Sequence, residues 1–450
     1  MRYIALSILI LAFTFAGSAQ TPSGAVLATV GTKKFTAEDL PENFRDPFLK
    51  IGERRSTARA SLFEIFVNGV LLESAAAEKG VTVDQLLEGE ILPKLQEPTE
   101  DQIKAAYKEF KEVLGDASLE ASKESLVNYL VQTAVATLRD AYVAELKKKY
   151  EPKVGKDINA PILKPTDVIL TVGAKTYNTK AFEDKFRNDL YEFEMDTYEA
   201  IKGALDDAIF NYLVSLEAAA LKIRASDLIA NEITNKLKDY TDEERELLQS
   251  QLRKRLFTKY QVVVAYKEPV ATVYKIDVTG EPFEGPASAP ITVVVFSDFQ
   301  CPTCALTHPA LKIVIADFPA KIKLVIKDFP LETIHPNAFG AAVAAGAAAR
   351  QGKFFDYIDI LYLNQDKLDR QSLISFAKGL GLDLKKFEAD LSDPAIVEEI
   401  QQDISEGKEV EVGGTPTIFV NGVRVRGTGP IAIRAALDKA LAKTPRTGVR

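Results

Sequence analysis

Two cysteines, the only ones among 450 residues, stand three positions apart in the segment Cys301-Pro302-Thr303-Cys304. The apolar run 291–296 comes just before them, which predicts a strand that leads through the pair into a helix. This placement puts the first sulfur at a helix N-terminus, where unpaired backbone N–H groups and the helix dipole favour a thiolate. The chemistry open to such a pair is thiol–disulfide exchange, in which one sulfur attacks and the other resolves the mixed disulfide.

The order of the two cysteines predicts their roles. Cys301 precedes the expected helix and is the candidate attacking, exposed sulfur, whereas Cys304 lies one helical turn later and is the candidate resolving, more buried sulfur. Pro302 and Thr303 set the local dipoles and hence the oxidising strength of the pair. Because neither of these spacer residues is basic, the helix end and its backbone N–H groups must supply most of the thiolate stabilisation.

Two other interpretations of the cysteine pair are open. A structural disulfide is disfavoured, because a bridge across so few residues removes little entropy from the unfolded chain. A zinc site made of Cys301, Cys304 and the two histidines of the chain, His308 and His335, is conceivable but less favoured. We therefore expect redox exchange, with no metal and no cofactor other than a redox-active Cys301–Cys304 disulfide.

A second signal is the segment Gly413-Gly414-Thr415-Pro416-Thr417. A proline at the start of an otherwise β-forming stretch is unusual, because proline cannot donate to a strand ladder. A cis Thr415–Pro416 bond would explain it, while an ordinary trans proline at an edge strand explains it equally well. In the cis case the Thr415 backbone would lie beside the disulfide and pair with an incoming extended peptide.

The N-terminal region is expected to be exported and to contain two copies of one module. Residues 1–19 contain a basic start, an apolar run and a small-residue site, which predict a signal peptide cleaved near Ala19 and a periplasmic or secreted protein. No later stretch is expected to cross a bilayer. The net charge of −8 gives nucleic acid nothing to bind.

The region after the leader contains an internal repeat with an offset of 142 residues. Residues 28–31 (ATVG) match 170–173 (LTVG), and residues 90–95 (EILPKL) match 232–237 (EITNKL). Capping-box patterns at Thr82, Thr99 and Thr241 predict helix starts. These features divide the chain into mainly α-helical modules at 20–155 and 156–270, followed by a domain at 271–450.

The last domain has a mixed order of elements. A turn-rich linker at 279–286 comes first, then the strand before the cysteines, a helix, and a strand at 321–327. A long helical stretch fills 337–409, and the Asn421-Gly422 dipeptide predicts a hairpin within 417–426 before a final helix.

Residues from about 285 to 445 resemble the DsbA-like branch of the thioredoxin superfamily. The matching segments are 296–304 (FSDFQCPTC), 327–331 (KDFPL), 335–336 (HP), 351–355 (QGKFF) and 414–422 (GTPTIFVNG). The resemblance implies a multidomain chain whose C-terminal domain is an α/β thioredoxin-like core with a helical insertion. It also implies that Cys301 is the nucleophile, Cys304 the resolving thiol, and Pro416 the cis-proline with Thr415 beside it.

One departure from that resemblance concerns proton transfer. Members of the family often carry an acid six residues before the first cysteine, where this chain has Val295. Asp298 is the nearest acid, but its position in the alternation predicts a place near the surface. The proton acceptor for Cys304 is thus left open, with a relay through water as the alternative.

The N-terminal copies resemble, less extensively, the helical chaperone module of SurA-type periplasmic prolyl isomerases. The similarity rests on Val30-Gly31 with Phe35 and on residues 98–107 (PTEDQIKAAY). Because no histidine precedes residue 308, we expect client binding without isomerisation. A spacer or a dimerisation surface is the alternative.

Together these features predict an exported thiol–disulfide oxidoreductase that introduces or exchanges disulfides in unfolded exported proteins. Reoxidation by a membrane quinone-linked thiol oxidase, of the DsbB or vitamin-K-epoxide-reductase type, is implied by the resemblance alone. The alternatives are a disulfide reductase or isomerase, and a non-catalytic periplasmic holdase chaperone.

Overall fold

A computed structural model gives the structure of residues 24–443, so the predicted signal peptide at 1–19 lies outside the described residues. The chain divides into two compact units, Met1–Pro269 and Val270–Arg450. The second unit thus begins beside the position, 271, at which the sequence predicts the last domain to start.

The first unit is mainly helical, and three long helices dominate it. Its elements are β1 (Ala28–Val30), β2 (Lys33–Phe35), α1 (Glu42–Leu49), α2 (Ile51–Lys79), α3 (Val83–Ile91), α4 (Glu100–Glu109), α5 (Lys111–Leu114), α6 (Leu119–Tyr150), β3 (Lys153–Val154), β4 (Val168–Val172), β5 (Lys175–Asn178), α7 (Thr179–Lys185), α8 (Arg187–Leu221), α9 (Ala225–Glu232), α10 (Asp242–Lys259) and β6 (Val263–Val264).

Helices in this unit start at all three predicted caps, and a full capping box forms at two of them. Thr82 and Thr99 each form a full capping box with the glutamine three residues on. At the start of α10 the Thr241 side chain accepts from the Glu244 N–H, but the Glu244 carboxylate instead accepts from the backbone N–H groups of residues 238–240. Glu244 therefore closes the preceding turn rather than the box.

The two sequence copies do not fold as successive modules. Strand β1 pairs with β2 and with β6 at the end of the second copy, whereas β4 pairs with β5 and with β3 at the end of the first. The connection between β3 and β4 is short, so pairing these two strands costs little entropy. The hairpin of β1 and β2 pairs instead with β6, at the end of the second copy. Gly31 and Gly173 occupy matching turns of the two hairpins, at φ of +55° and +58°.

The two largest hydrophobic cores of the unit consequently mix the two copies. One core joins Phe35 and its hairpin to the second half of α8 and to α10. The other joins α2 and α6 to β4 and to Phe182 of α7. This is the physical correction to the boundaries predicted at 20–155 and 156–270: each copy's hairpin completes the core of the other copy.

Helix α2 also corrects the expectation about membrane spans. By length and composition alone it is apolar enough to cross a bilayer. The apolar side chains of its second half, including Phe66, Val70 and Leu71, are buried in the core that α6 and β4 share, and such core helices satisfy the same criterion.

The second unit carries a five-stranded sheet with the order β11-β10-β8-β9-β7. Its elements are β7 (Phe283–Glu284), β8 (Ile291–Ser297), α11 (Pro302–Ala316), β9 (Ile322–Asp328), α12 (Ala338–Ala349), α13 (Phe354–Leu363), α14 (Arg370–Gly379), α15 (Leu384–Asp390), α16 (Pro394–Glu409), β10 (Thr417–Val420), β11 (Val423–Arg424) and α17 (Pro430–Lys443). Part of the predicted linker at 279–286 is thus the edge strand β7.

The topology of this unit places the cysteine pair just beyond the end of β8, the central strand of the sheet. Strands β8 and β9 are parallel, and α11 connects them, while β10 lies antiparallel to β8 on the other side. The helices α12 to α16 form an insertion between β9 and β10, and residues of α11 to α17 pack with one face of the sheet in a single apolar core. The predicted fold class, a mainly helical region followed by an α/β domain with a helical insertion, is confirmed.

Candidate dithiol site

The cysteine pair lies at the start of α11, shortly after β8 ends. Cys301 is the N-cap residue of α11 and Pro302 occupies its first position, where a missing N–H costs nothing. Both thiols are free. Cys301 is only 6% exposed, against 1% for Cys304. The predicted order of exposure therefore holds, but the expectation of an exposed Cys301 is corrected, because residues of distant segments cover it.

One covering segment is the turn before β10. The Thr415–Pro416 peptide bond is cis. The Cys301 Sγ donates to the Thr415 carbonyl oxygen at 3.4 Å, which brings together residues 114 positions apart. The pairing of Thr417 with Phe296 on β8 holds this contact in place.

Asp298 organises the other side of the pair. Its carboxylate accepts from the backbone N–H groups of Gln300 (2.7 Å), Cys301 (3.2 Å) and Leu331 (2.9 Å). It also bonds His335 Nδ1 at 2.8 Å. Asp298 is 1% exposed, so the prediction that it lies near the surface is wrong. Strand alternation stops at the end of β8, and the next residue turns inward to satisfy these donors.

The ionisation of the two sulfurs is opposed. A hydrogen bond from the Cys304 side chain, aided by the backbone N–H groups of Thr303 and Cys304 and by the Thr415 hydroxyl, lowers the pKa of Cys301 to about 5 against the effect of burial. The same hydrogen bond, together with burial, raises the pKa of Cys304 well above the ordinary thiol range. At neutral pH the pair thus holds one thiolate, on Cys301, and one proton, on Cys304.

The spacer and its surroundings add backbone contacts that linear sequence did not reveal. Gln365, just beyond α13, donates from Nε2 to the carbonyl oxygens of Phe299 (3.0 Å) and Cys301 (2.8 Å). Gln300 accepts from the Asn337 N–H at 2.8 Å. No spacing or composition signal marks Gln365, because its role depends on the fold of the insertion.

A hydroxyl pair lies beneath the resolving sulfur. Ser297 Oγ and Tyr362 OH are 2.6 Å apart and buried. The Ser297 side chain hydrogen-bonds Cys304 and acts to lower its pKa, although the net shift is upward. Val295, at the position that the resemblance would give to an acid, is buried in the apolar core.

Both histidines bond carboxylates rather than the cysteines. His308 is buried, bonds Asp359 Oδ1 through Nε2 at 2.7 Å, and packs its ring 4.8 Å from that of Tyr362. Burial lowers the pKa of His308 despite the nearby Asp359 carboxylate. Within the described chain, 24–443, no three or more His, Cys, Asp or Glu side chains are grouped to hold a metal ion.

A protein-family model described as Thioredoxin matches residues 277–439. The C-terminal unit is a thioredoxin-like domain. This agreement confirms the fold implied by the motifs around the cysteines.

Curated relatives share only this thioredoxin-like domain. The chain is 39% identical over 168 residues to Na(+)/H(+) antiporter NhaA 3 of Salinispora tropica, covering 37% of this chain and 26% of that protein. It is 33% identical over 179 residues to the NhaA antiporter of Herminiimonas arsenicoxydans, covering 40% and 28%. The chain thus spans about a quarter of the length of these relatives.

Solved structures similar to this chain include three bacterial proteins. They are a thioredoxin-like oxidoreductase from Silicibacter pomeroyi (25% identity, TM-score 0.34, 36% of this chain and 94% of that one), BdbD from Bacillus subtilis (21%, 0.35, 38% and 98%) and the catalytic domain of Proteus mirabilis ScsC (20%, 0.32, 36% and 90%).

Proposed function

We propose that the protein is an exported thiol–disulfide oxidoreductase that acts on cysteines of unfolded proteins through Cys301 and Cys304. The observation that carries the proposal is the placement of two buried, free sulfurs one helical turn apart at the start of α11, with the Cys301 sulfur against the Thr415 carbonyl. A low-pKa thiolate at a helix N-terminus, followed one turn later by a protonated thiol, supports attack by the first sulfur and resolution by the second.

The exchange step follows from this geometry. In the oxidising direction a client thiolate attacks Cys301 Sγ, the Cys301–Cys304 bond breaks, and Cys304 leaves as a thiolate that takes up a proton. A second client thiolate then attacks the client sulfur, so that Cys301 leaves as a stabilised thiolate and the client gains a disulfide. The Thr415 carbonyl, beside Cys301, offers an acceptor for the N–H of an extended client chain.

Stabilisation of the Cys301 thiolate favours the reduced enzyme and therefore oxidation of clients. This direction requires reoxidation, for which we propose a membrane quinone-linked thiol oxidase of the DsbB or vitamin-K-epoxide-reductase type. The equilibrium reduction potential against glutathione, with both thiols followed by mass, tests the direction. A value near about −120 mV supports the oxidase, whereas a value near about −270 mV favours the reductase alternative.

For the first unit we propose client binding of the SurA-like kind. Its surface exposes large apolar side chains, including Val113 (85%), Ile162 (78%) and Tyr240 (74%), as a holder of unfolded chains requires. The holdase alternative predicts that a variant with serine at both cysteines retains its full effect on aggregation in the cell. Loss of that effect together with the thiols supports the oxidoreductase.

The decisive experiment uses the full-length oxidised protein and a reduced peptide that carries two cysteines. We expect the wild-type protein to give this peptide a disulfide. With the oxidised, disulfide-bonded form of the peptide as the probe instead, the Cys304→Ser variant should accumulate a mixed disulfide at Cys301, and the Cys301→Ser variant should react with neither form of the peptide. Exchange at the wild-type rate by Cys301→Ser would refute the proposal. Recovery of the mature chain in the periplasmic or secreted fraction, starting near Ala19, tests the proposed export.

A further inference from the structure

Exchange at this site moves a proton on and off Cys304, yet the family's usual acid position holds Val295. Cys304 is 1% exposed, so bulk water has little access to its sulfur. The carboxylate closest in sequence, Asp298, already accepts four hydrogen bonds from the loops around it. A different group must therefore receive and return the proton at a useful rate.

The groups beneath Cys304 form a short polar path inside an apolar core. Ser297 is the last residue of β8, and its hydroxyl contacts both the Cys304 sulfur and, at 2.6 Å, the Tyr362 hydroxyl. Burial raises the pKa of Tyr362 well above its usual value, so this residue passes protons on rather than holding a charge. The charges of Cys304 and Asp328 both act on Tyr362, so both groups lie within electrostatic reach of its hydroxyl.

Asp328 lies on the strand next to this pair of hydroxyls. It is the last residue of β9 and pairs directly with Ser297 of the parallel strand β8. Both residues lie two positions beyond core residues, Val295 and Ile326, so both side chains face the cysteine side of the sheet. Paired strands are about 4.8 Å apart. In the part of the chain that the structure describes, Asp328 Oδ1 is shielded from solvent and has no hydrogen-bond partner.

The surroundings of Asp328 also offer the proton an exit. Asp328 lines a cavity of about 760 Å³, which Lys327, Asp403 and Glu406 also line. The ionisable groups that act on its carboxyl are Lys327 on its own strand, Asp403 of α16, Glu281 before β7, Asp298 after β8 and Tyr362 of α13. Burial, reinforced by the negative charges of Asp403 and Glu281, raises the pKa of Asp328 well above that of an ordinary aspartate.

We propose that Asp328 is the proton-exchange group for Cys304, connected to it through the hydroxyls of Ser297 and Tyr362. It would stand in for the missing acid at position 295 from the neighbouring strand. The inference rests on the proposed function, because it assigns a step of the same exchange reaction.

During resolution the Cys304 S–H bond breaks, the hydroxyls relay the proton to Asp328, and the Cys304 thiolate attacks Cys301 Sγ. The bond between Cys301 Sγ and the client sulfur breaks, the client sulfur leaves as a reduced thiolate, and the Cys301–Cys304 disulfide forms. In the oxidising direction the Cys304 thiolate leaves and takes the proton from the Asp328 carboxyl.

The test follows the two half-steps separately in the full-length reduced protein with oxidised glutathione as the probe. Rapid quenching and mass measurement give the rate at which Cys301 forms a mixed disulfide and the rate at which Cys304 resolves it. For Asp328→Asn we expect formation of the mixed disulfide at a rate within about twofold of wild type. Resolution by Cys304 should be slowed about tenfold to 100-fold, since proton transfer by a positioned side chain typically contributes about 100-fold or more.

The pH profile separates proton exchange from a structural role. Wild-type resolution should rise with pH and level off once Asp328 is ionised, whereas the Asp328→Asn variant should lose that plateau and keep rising with hydroxide. Tyr362→Phe should slow resolution similarly, and the double variant should be no slower than either single variant.

Two controls match the buried groups that are changed. Tyr357→Phe removes a buried hydroxyl from the same helix, where it donates to the Leu373 carbonyl at 2.9 Å, and Asp390→Asn alters a buried carboxylate of α15. Both should resolve at the wild-type rate. Wild-type resolution and pH profile in both the Asp328→Asn and Tyr362→Phe variants would overturn the inference. Failure of wild type to form any mixed disulfide would instead refute the proposed function.

Discussion

The low pKa of Cys301 depends first on residue 304, and substitution there provides the sharpest test of the site. The hydrogen bond from the Cys304 side chain is the largest of the influences that lower this pKa from 9.0 to about 5. Replacing Cys304 by alanine removes the donor, whereas serine keeps a donor at nearly the same place. The two variants differ chiefly in that hydrogen bond.

The size of the effect follows from the energy of a hydrogen bond to a charged group. Such a bond contributes about 1.5–3 kcal/mol. One pKa unit corresponds to about 1.4 kcal/mol. We therefore expect Cys301 to titrate about 1–2 units higher in Cys304→Ala than in Cys304→Ser. The helix end and the Thr415 hydroxyl remain in both variants, so both should titrate below an ordinary thiol.

The assay is the ultraviolet absorbance of the thiolate as a function of pH, because each variant contains Cys301 as its single thiol. The alkylation rate of Cys301, followed by mass, gives an independent value for the same ionisation. Equal pKa values in the alanine and serine variants would refute the reasoning, since they would show that backbone N–H groups and the helix dipole stabilise the thiolate without help from residue 304.

Three further predictions concern stability. Because the pKa of Cys301 is lower in the folded protein, the stability of the reduced form relative to the oxidised form should rise by about 1.4 kcal/mol per pH unit between about pH 5 and 9, and this advantage should vanish as pH falls through 5. Urea unfolding of both forms across this range measures the difference in their free energies of unfolding. A difference that does not change with pH contradicts the prediction. The Lys327 side chain is 5% exposed, and its Nζ lies within 3.0 Å of carboxylate oxygens of Glu281, Asp403 and Glu406. Lys327→Met should therefore lower the free energy of unfolding by about 3–5 kcal/mol, because the three carboxylates lose their partner. The half-exposed Lys312→Met should cost at most about 1 kcal/mol by the same assay, and equal losses would contradict the buried role. Phe35→Ala should lower hydrogen-exchange protection in α8 and α10, whereas Phe182→Ala should lower it in α2 and α6; protection lost only within each residue's own sequence copy would contradict the exchanged hairpins.

Sequence reasoning succeeded where the information is local. The strand before the cysteines, the helix after them and the Asn421-Gly422 turn follow from apolar runs, capping residues and turn chemistry that span a few positions. The repeat was equally visible, because a common offset needs no knowledge of packing. The repeat does not show that the copies exchange hairpins, because the pairing of strands far apart in the chain is decided by the tertiary structure.

The site itself divides in the same way. The sequence by itself determined the two sulfurs, their spacing and the helix end that stabilises a thiolate at Cys301. Only the tertiary structure decided that Cys301 is covered by Thr415, that Asp298 turns inward, and that Asp328 of another strand faces Ser297. These are contacts between residues far apart in the chain. They arise because a strand's alternation ends where the strand ends, and beyond that point buried polar groups go wherever a hydrogen-bond partner lies within reach.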